Sequence, residues 1–238
     1  HRWAVWTDDA VDWRRRPVAV VRSTWDYYRD PAAFLAWAER ASRVTALHNP
    51  LALIRYDSHK RYLLDLHARG VPTIPTALVP QGDRPSLADL CRERGWQRIV
   101  IKPAVSAGSW STFVAATPAA GQADFERLRR ERDVLVQPFM ESVATTGERS
   151  VVVIDGAITH AVRKQPRFAG EDERVEGPIA IDADERALVE RVLAIATEIA
   201  TEPLLYARFD LIRDAAGAPL IAELEALEPS LFFALEPA

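Results

Sequence analysis

The chain has 238 residues, 48% of them hydrophobic and 27% charged, enough to bury a full core as one large domain or two small ones. A net charge of −4, a sequence pI near 5.8 and arginines scattered among acids exclude the basic stripe of a nucleic-acid binder, so any phosphate affinity must be local. The single cysteine, Cys91, excludes an intrachain disulfide and a cysteine zinc site and fits a cytoplasmic protein; no apolar run approaches the roughly 20 residues of a membrane helix, and no basic-then-apolar leader is visible.

Strands and helices alternate along the chain. Arg16 to Arg22 is a short apolar run that predicts a buried parallel strand ending in the polar cluster Ser23-Thr-Trp25-Asp26-Tyr27. Pro31 to Arg43 repeats apolar residues at helical spacing, so the opening reads as a Rossmann-like unit with ligands expected at the strand's carboxyl end. A second helix is predicted from Ser58 to Arg69, closed by Gly70, and the prolines of Val71 to Val79 make an extended segment and a boundary near residue 72. Next come a helix from Ser86 to Arg94, a strand from Arg98 to Pro103 with Lys102 near its end, and the small, hydroxyl-rich loop Ala104 to Thr112. That loop, with Ser106, Gly108 and Ser109, could fold its N–H groups over anionic oxygens, although surface turns share its composition. A helix from Ala120 to Arg132, a strand from Asp133 to Met140 and a polar loop ending at Gly147-Glu148 lead into a hairpin turning at Asp155-Gly156, whose second strand carries Lys164. Residues 165 to 178 lack periodicity and read as a mobile surface loop. Ala183 to Thr201 is the clearest amphipathic helix. None of His48, His59, His67 and His160 has metal-ligand spacing.

The segment from Tyr206 to Glu225 reads as a β-hairpin around Asp214-Ala-Ala-Gly217. If those four residues form the loop, Arg213 pairs with Ala218, and the alternation of side chains puts Arg208 and Asp210 on one face with Glu223 and Glu225. Three acids that close repel unless a cation sits among them, and hard oxygen donors shared with polyphosphate are what Mg²⁺ selects. A solvated acidic hairpin face is the alternative; the apolar residues between the acids favour a buried pair of strands, where unpaired acids are expensive.

The order Lys60, Ile-Lys102-Pro, small-residue loop, Val-Gln137-Pro-Phe-Met, Gly-Glu148, Lys164, Arg208-x-Asp210 and Glu223-x-Glu225 resembles the ATP-grasp ligases from about Trp13 to Pro229. The runs Arg22 to Tyr27, His48-Asn-Pro50, Lys60 to Asp65, Gly70 to Thr76 and Glu223 to Phe232 resemble, within that family, the branch containing the D-cycloserine-forming ligase. The resemblance implies an α/β ATP-grasp fold, two α+β subdomains clasping ATP, behind a truncated Rossmann-like pre-ATP-grasp domain whose opening βα unit is missing before His1. The implied divisions are 1–71, 72–135 for the central lid and 136–238 for the metal-bearing subdomain. The chain departs from the branch at Arg55 to Ser58, in the acid-rich stretch 168–177, and at Glu225, where many ATP-grasp members carry asparagine.

The resemblance also implies roles. Lys60, on its predicted helix, and Lys102 hold the nucleotide phosphates beneath the loop bearing Ser106, Gly108 and Ser109. Backbone groups around Gln137, Phe139 and Met140 meet adenine, and Glu148 meets the ribose. Lys164 and Arg208 neutralise the transferring phosphoryl group, and Asp210, Glu223 and Glu225 coordinate Mg²⁺. Ser23, Trp25, Asp26 and Tyr27 line the substrate pocket, with Asp26 facing an ammonium, although Trp25 and Tyr27 serve equally as interface core. The implied activity is Mg·ATP-dependent ligation of a small amino-acid-like carboxylate to an amine, as in cyclisation, by a protein that needs neither nucleic acid nor membrane; a homo-oligomer is left open. A peptide-modifying ATP-grasp ligase and a catalytically silent ATP-binding module are the other readings.

Overall fold

The computed structural model describes residues 1–165 and 174–236. Strand β1 (Val18–Val20), helix α1 (Pro31–Ser42) and strand β2 (Ala46–His48) open the fold, with β1 parallel to β2. Helix α1 starts where Asp30 caps the Ala33 N–H and Pro31 takes the first turn. It buries Phe34, Trp37, Ala38 and Ala41. The strand expected to be buried is not: Val18 and Val20 are 53% and 44% exposed, because β1 pairs only with β2 among the described residues. The single helix expected from Ser58 to Arg69 is also corrected. Helices α2 (Leu51–Asp57) and α3 (Tyr62–Ala68) flank a turn, and Lys60 sits in that turn and not on a helix.

Strand β3 (Ala77–Val79), helix α4 (Leu87–Arg94), strands β4 (Ile99–Pro103) and β5 (Phe113–Ala115), helix α5 (Pro118–Glu131) and strand β6 (Val134–Pro138) follow. The strands form an antiparallel sheet in the order β3-β6-β4-β5, and α4 and α5 bury Leu87, Cys91, Phe125 and Leu128 against it. Ser86 and Thr117 cap the two helices, and Gly95 ends α4 in the left-handed region at φ 71°. Gly121 lets α5 lie close on the sheet, since a Cβ there would come within 2.7 Å of Ile101 and 2.9 Å of Ala115.

The stretch expected as a polar loop contains helix α6 (Glu141–Thr146). Strands β7 (Glu148–Ile154) and β8 (Ala157–Lys164) form the expected hairpin, with Asp155 and Gly156 both at positive φ, 49° and 72°. The loop expected over 165–178 lies partly outside the described residues, as do Arg167 and Phe168; within it, strand β9 (Val175–Glu176) pairs with β8. Helix α7 (Ala183–Ala200), opened by an Asp182–Glu185 capping box, packs on the sheet that strands β10 (Tyr206–Arg213) and β11 (Pro219–Glu225) complete, in the order β11-β10-β7-β8-β9.

The β10–β11 register differs from the simple one. Arg213 pairs with Pro219 and not Ala218, which would send Asp210 and Glu223 to opposite faces, but a bulge at Ala222 restores the alignment. Asp210 then lies directly opposite Glu223, and Arg208 opposite Glu225.

Candidate active site

The four- and five-stranded sheets face one another across a cleft of about 450 Å³. Strand β4 contributes Val100 and Lys102; β6 and the residues after it contribute Gln137, Phe139 and Met140. From the opposite sheet come Glu148, Lys164, Arg208, Glu223 and Glu225, while Lys60 and the loop residues Ser106, Gly108 and Ser109 close one end. Thus every residue expected to meet nucleotide lines one cavity, and Asp210 lies beneath its floor, 1% exposed.

Edge strand β11 is held from outside. Ile221 donates to the Pro72 carbonyl and accepts from Ile74, the Tyr62 hydroxyl both donates to and accepts from Leu224, and Ala226 N–H donates to Asp57 Oδ2 at 2.7 Å. Its free edge is thereby satisfied, and the glutamates alternate inward from a fixed backbone. Gly147 lets the chain enter β7 next to the Lys164 carbonyl, which a Cβ would meet at 2.4 Å.

Each cation on this floor has an acidic partner. Arg208 grips Asp210 through two hydrogen bonds of 2.8 Å each and reaches Glu225 at 2.5 Å. Lys164 binds Asp210 at 2.8 Å and also Glu148. Lys60 Nζ lies 3.1 Å from Glu223 and donates to the Ser106 carbonyl and hydroxyl, while Lys102 stands 4.0 Å from Glu223. Ser150 adds a 2.6 Å hydrogen bond to Asp210. Burial alone would push the Asp210 carboxyl up, but Arg208 and Lys164 bring it well below the usual carboxylate range. Burial likewise opposes Glu223, whose pKa Lys60 and Lys102 nevertheless lower. Glu148 goes the other way: burial lifts it to about 7 against the pull of Lys164. Burial also raises Glu225, with Arg208 opposing, and lowers Lys102, with Glu223 opposing.

Carboxylate oxygens of Asp210, Glu223 and Glu225 lie within 4.8 Å of one another, and Glu223 Oε1 is buried with the Lys60 ammonium as its ion-pair partner at 3.1 Å. Three hard oxygen donors at that spacing fit a divalent cation such as Mg²⁺.

Comparison with known proteins gives the family and the fold. The family described as D-cycloserine synthetase DcsG, N-terminal domain, matches residues 1–49. The cycloserine biosynthesis protein DcsG of Streptomyces lavendulae is 37% identical over 244 residues, covering 95% of this chain and 80% of that protein. The chain belongs to the DcsG family of ATP-grasp ligases. The crystal structure of D-cycloserine synthetase DcsG superposes with a TM-score of 0.86 at 35% identity, over 97% of this chain and 82% of that one. The ATP-grasp ligase PsnB with its minimal precursor (TM-score 0.62, 21% identity, 93% and 74% coverage) and the D-alanine–D-alanine ligase of Bacillus anthracis (0.62, 15%, 78% and 61%) share the fold. This DcsG-family chain is an enzyme that forms carbon–nitrogen bonds.

In this DcsG-family chain the four residues expected to meet substrate divide. Trp25 and Tyr27 line the cleft. Ser23 and Asp26 do not; they border a neighbouring hollow, where Asp26 accepts from Trp6 Nε1 at 3.0 Å. Tyr27 is also packed on Phe34, so its ring serves the core expected as the alternative. In the segment expected to meet adenine, the Phe139 N–H already donates to the Arg98 carbonyl at 2.8 Å and Gln137 Nε2 to Thr76 at 2.8 Å. The apolar lining of the cleft includes Ile74, Val100, Val143 and Ile212, which sequence reasoning had not singled out, and Leu224, which it had read only as part of a buried strand pair.

Two further cleft acids were missed. Asp57, at the end of α2, and Glu228, three residues past Glu225, are 6% and 8% exposed. Burial raises both carboxyls, Asp57 to about 7. Glu228 stands within the quoted Glu223-to-Phe232 run, which was the available signal; nothing local marks Asp57.

Proposed function

We propose that this chain activates a small amino-acid-like carboxylate with Mg·ATP and joins it to an amine, within one molecule in a cyclisation. The observation that carries the reading is the convergence of Lys60, Lys102, Lys164 and Arg208 with Asp210, Glu223 and Glu225 in one cleft between two sheets. The name of the Streptomyces lavendulae relative supports a role in antibiotic biosynthesis, and the cytoplasm is the compartment that supplies ATP. The likeness to PsnB, at 21% identity, carries the fold and not a peptide substrate.

The reaction is attack of a carboxylate oxygen on the γ-phosphorus of ATP, giving an acyl phosphate and ADP, followed by displacement of phosphate by the amine. Asp210, Glu223 and Glu225 would hold one or two Mg²⁺ ions, which when bound supply charge neutralisation at phosphoryl oxygens. Lys60 and Lys102, already turned toward the floor, exchange Glu223 for phosphate oxygens. Lys164 and Arg208 are fixed by Asp210 and present their remaining N–H groups to the transferring phosphoryl group and the tetrahedral intermediate, a preorganised electrostatic contribution. The loop with Ser106, Gly108 and Ser109 covers the phosphates, the Gln137–Met140 segment takes adenine, and Glu148 accepts from the ribose. Trp25 and Tyr27 border the acyl substrate. No covalent enzyme intermediate is needed.

The test is ADP release with Mg·ATP against D- and L-amino acids, O-ureido-D-serine among them, beside the Glu223→Gln variant. Substrate-dependent release that the variant abolishes is expected. ATP binding with no amino acid stimulating release would overturn the assignment.

A further inference from the structure

Among the described residues, four acidic side chains are more than nine-tenths buried: Asp57, Glu185, Asp210 and Glu228. Glu185 lies 2.6 Å from Arg149 and 3.0 Å from Arg213, and Asp210 lies 2.8 Å from both Lys164 and Arg208. Asp57 and Glu228 have no described cation within 4.0 Å. A buried carboxylate without a cation is expensive, so what stands beside it matters.

Both acids border the proposed catalytic cleft. Asp57 spends Oδ2 on the Ala226 N–H, and its Oδ1 is buried with no partner. Glu228 is anchored through its backbone, whose carbonyl accepts from Trp25 Nε1 at 3.0 Å, and no described donor meets its carboxylate. The nearest cations are committed elsewhere: Lys60 to Ser106 and Glu223, Arg208 to Asp210 and Glu225. Burial favours the protonated form of both acids while the cleft is empty, so a cation that lets them ionise must come with a ligand. A divalent metal is already provided for by the three acids on β10 and β11. Beside Asp57 and Glu228 stand instead the rings of Trp25 and Tyr27, apolar walls that suit an organic ammonium better than a hydrated metal ion.

We infer that Asp57 and Glu228 receive the ammonium group of the amino-acid substrate. The inference rests on the ligase reading above and moves the ammonium from Asp26, which is engaged by Trp6. It also makes Asp57 and Glu228 determinants of specificity for amino acids over their des-amino counterparts.

Calorimetry with the full chain, Mg²⁺ and a non-hydrolysable ATP analogue tests this. Each amino acid of the panel is paired with its des-amino acid, for the wild type and for Asp57→Asn and Glu228→Gln. The Asp57→Asn change keeps an oxygen that accepts from the Ala226 N–H, and retained affinity for the ATP analogue reports a folded variant. At least one amino acid is expected to bind about tenfold or more tightly than its des-amino partner, and each substitution to erase most of that preference, the size of a lost hydrogen bond to a charged group. Equal binding of the two partners, a preference that survives both substitutions, or no amino-acid binding at all would overturn the inference. Amino-acid binding with the preference intact but no ADP release would instead overturn the ligase reading alone.

Discussion

The two walls of the cleft are built differently. The five-stranded wall carries Glu148, Lys164, Arg208, Asp210, Glu223 and Glu225, cross-linked by ion pairs and fixed along the β11 edge. Among the described residues that line the cleft, the four-stranded wall contributes apolar side chains, Gln137 and one cation, Lys102, whose nearest acid is 4.0 Å away on the other wall. The first wall thus holds charges that stabilise one another before any ligand arrives, whereas the second offers shape and a single charge that gains a close partner only with phosphate. Changes in the first should cost stability and activity together; changes in the second should cost nucleotide binding alone.

The sharpest break is Arg208→Met. It leaves Asp210 with Lys164 as its remaining cation and Glu225 with none of its present partners. Breaking a buried pair in this way costs about 3–5 kcal/mol, and loss of a preorganised donor lowers turnover on the order of a hundred- to a thousandfold. Denaturant unfolding and ADP release are the measurements. A variant as stable as the wild type would show that the wall is not held by this arginine.

Behind the same wall, Asp57 is buried among Glu225, Glu223 and Lys60, with the Ala226 N–H as its donor. Burial raises its pKa from 3.8 to about 7. The folded state therefore holds a proton that the unfolded chain has released, so the stability linked to this proton is full below about pH 4 and is lost as pH rises through 7. Asp57→Asn removes the titration. Its advantage over the wild type should be absent at about pH 4 and grow to the order of a few kcal/mol above pH 7, read from melting curves across pH. A constant difference at every pH would place the effect in packing and not in charge.

Lys102→Met tests the second wall. Burial already lowers the lysine's pKa, and Glu223 keeps Lys60 at 3.1 Å. Stability should hardly change, while KM for ATP rises roughly ten- to a hundredfold, the loss of a charge-assisted hydrogen bond. A large fall in melting temperature would erase the distinction between the walls.

How these walls could be read from sequence follows their physics. Strand alternation and the hairpin turns are local, so Arg208, Asp210, Glu223 and Glu225 could be placed on one face, and Lys164 on the second strand of its hairpin, before any coordinates, whereas Glu148 was reached through the family resemblance. The bulge at Ala222 left no local mark, and the right face was reached through a register that the structure does not use. Lys60 was found but set on a helix, because apolar spacing runs on across the turn that divides α2 from α3. Asp57 could not be found in this way: its burial comes from α2 meeting Ala226, 169 residues away. Ser23 and Asp26 were placed at the correct strand end, yet nothing in the sequence told which side of Trp25 they would face.

The smallest expected effect lies at the rim of the second wall. Arg98 meets both oxygens of Glu141, at 3.0 and 3.1 Å, and covers the Phe139 ring at 3.6 Å. Like Arg208 with Asp210, this guanidinium makes two nitrogen–oxygen contacts, though from Nη1 alone where Arg208 uses Nε and Nη2, and the Glu141 side chain is 70% exposed where that of Asp210 is 1%. Water solvates the carboxylate when the pair is apart, so Glu141→Ala should cost less than about 1 kcal/mol. Arg98 keeps its stacking on Phe139 without Glu141, so the segment leading to Met140 stays in place and KM for ATP should move by less than about threefold. Unfolding and nucleotide titrations on Glu141→Ala and Arg208→Met, measured side by side, separate burial from pairing geometry as the source of the first wall's rigidity: equal losses in the two variants would assign it to the geometry.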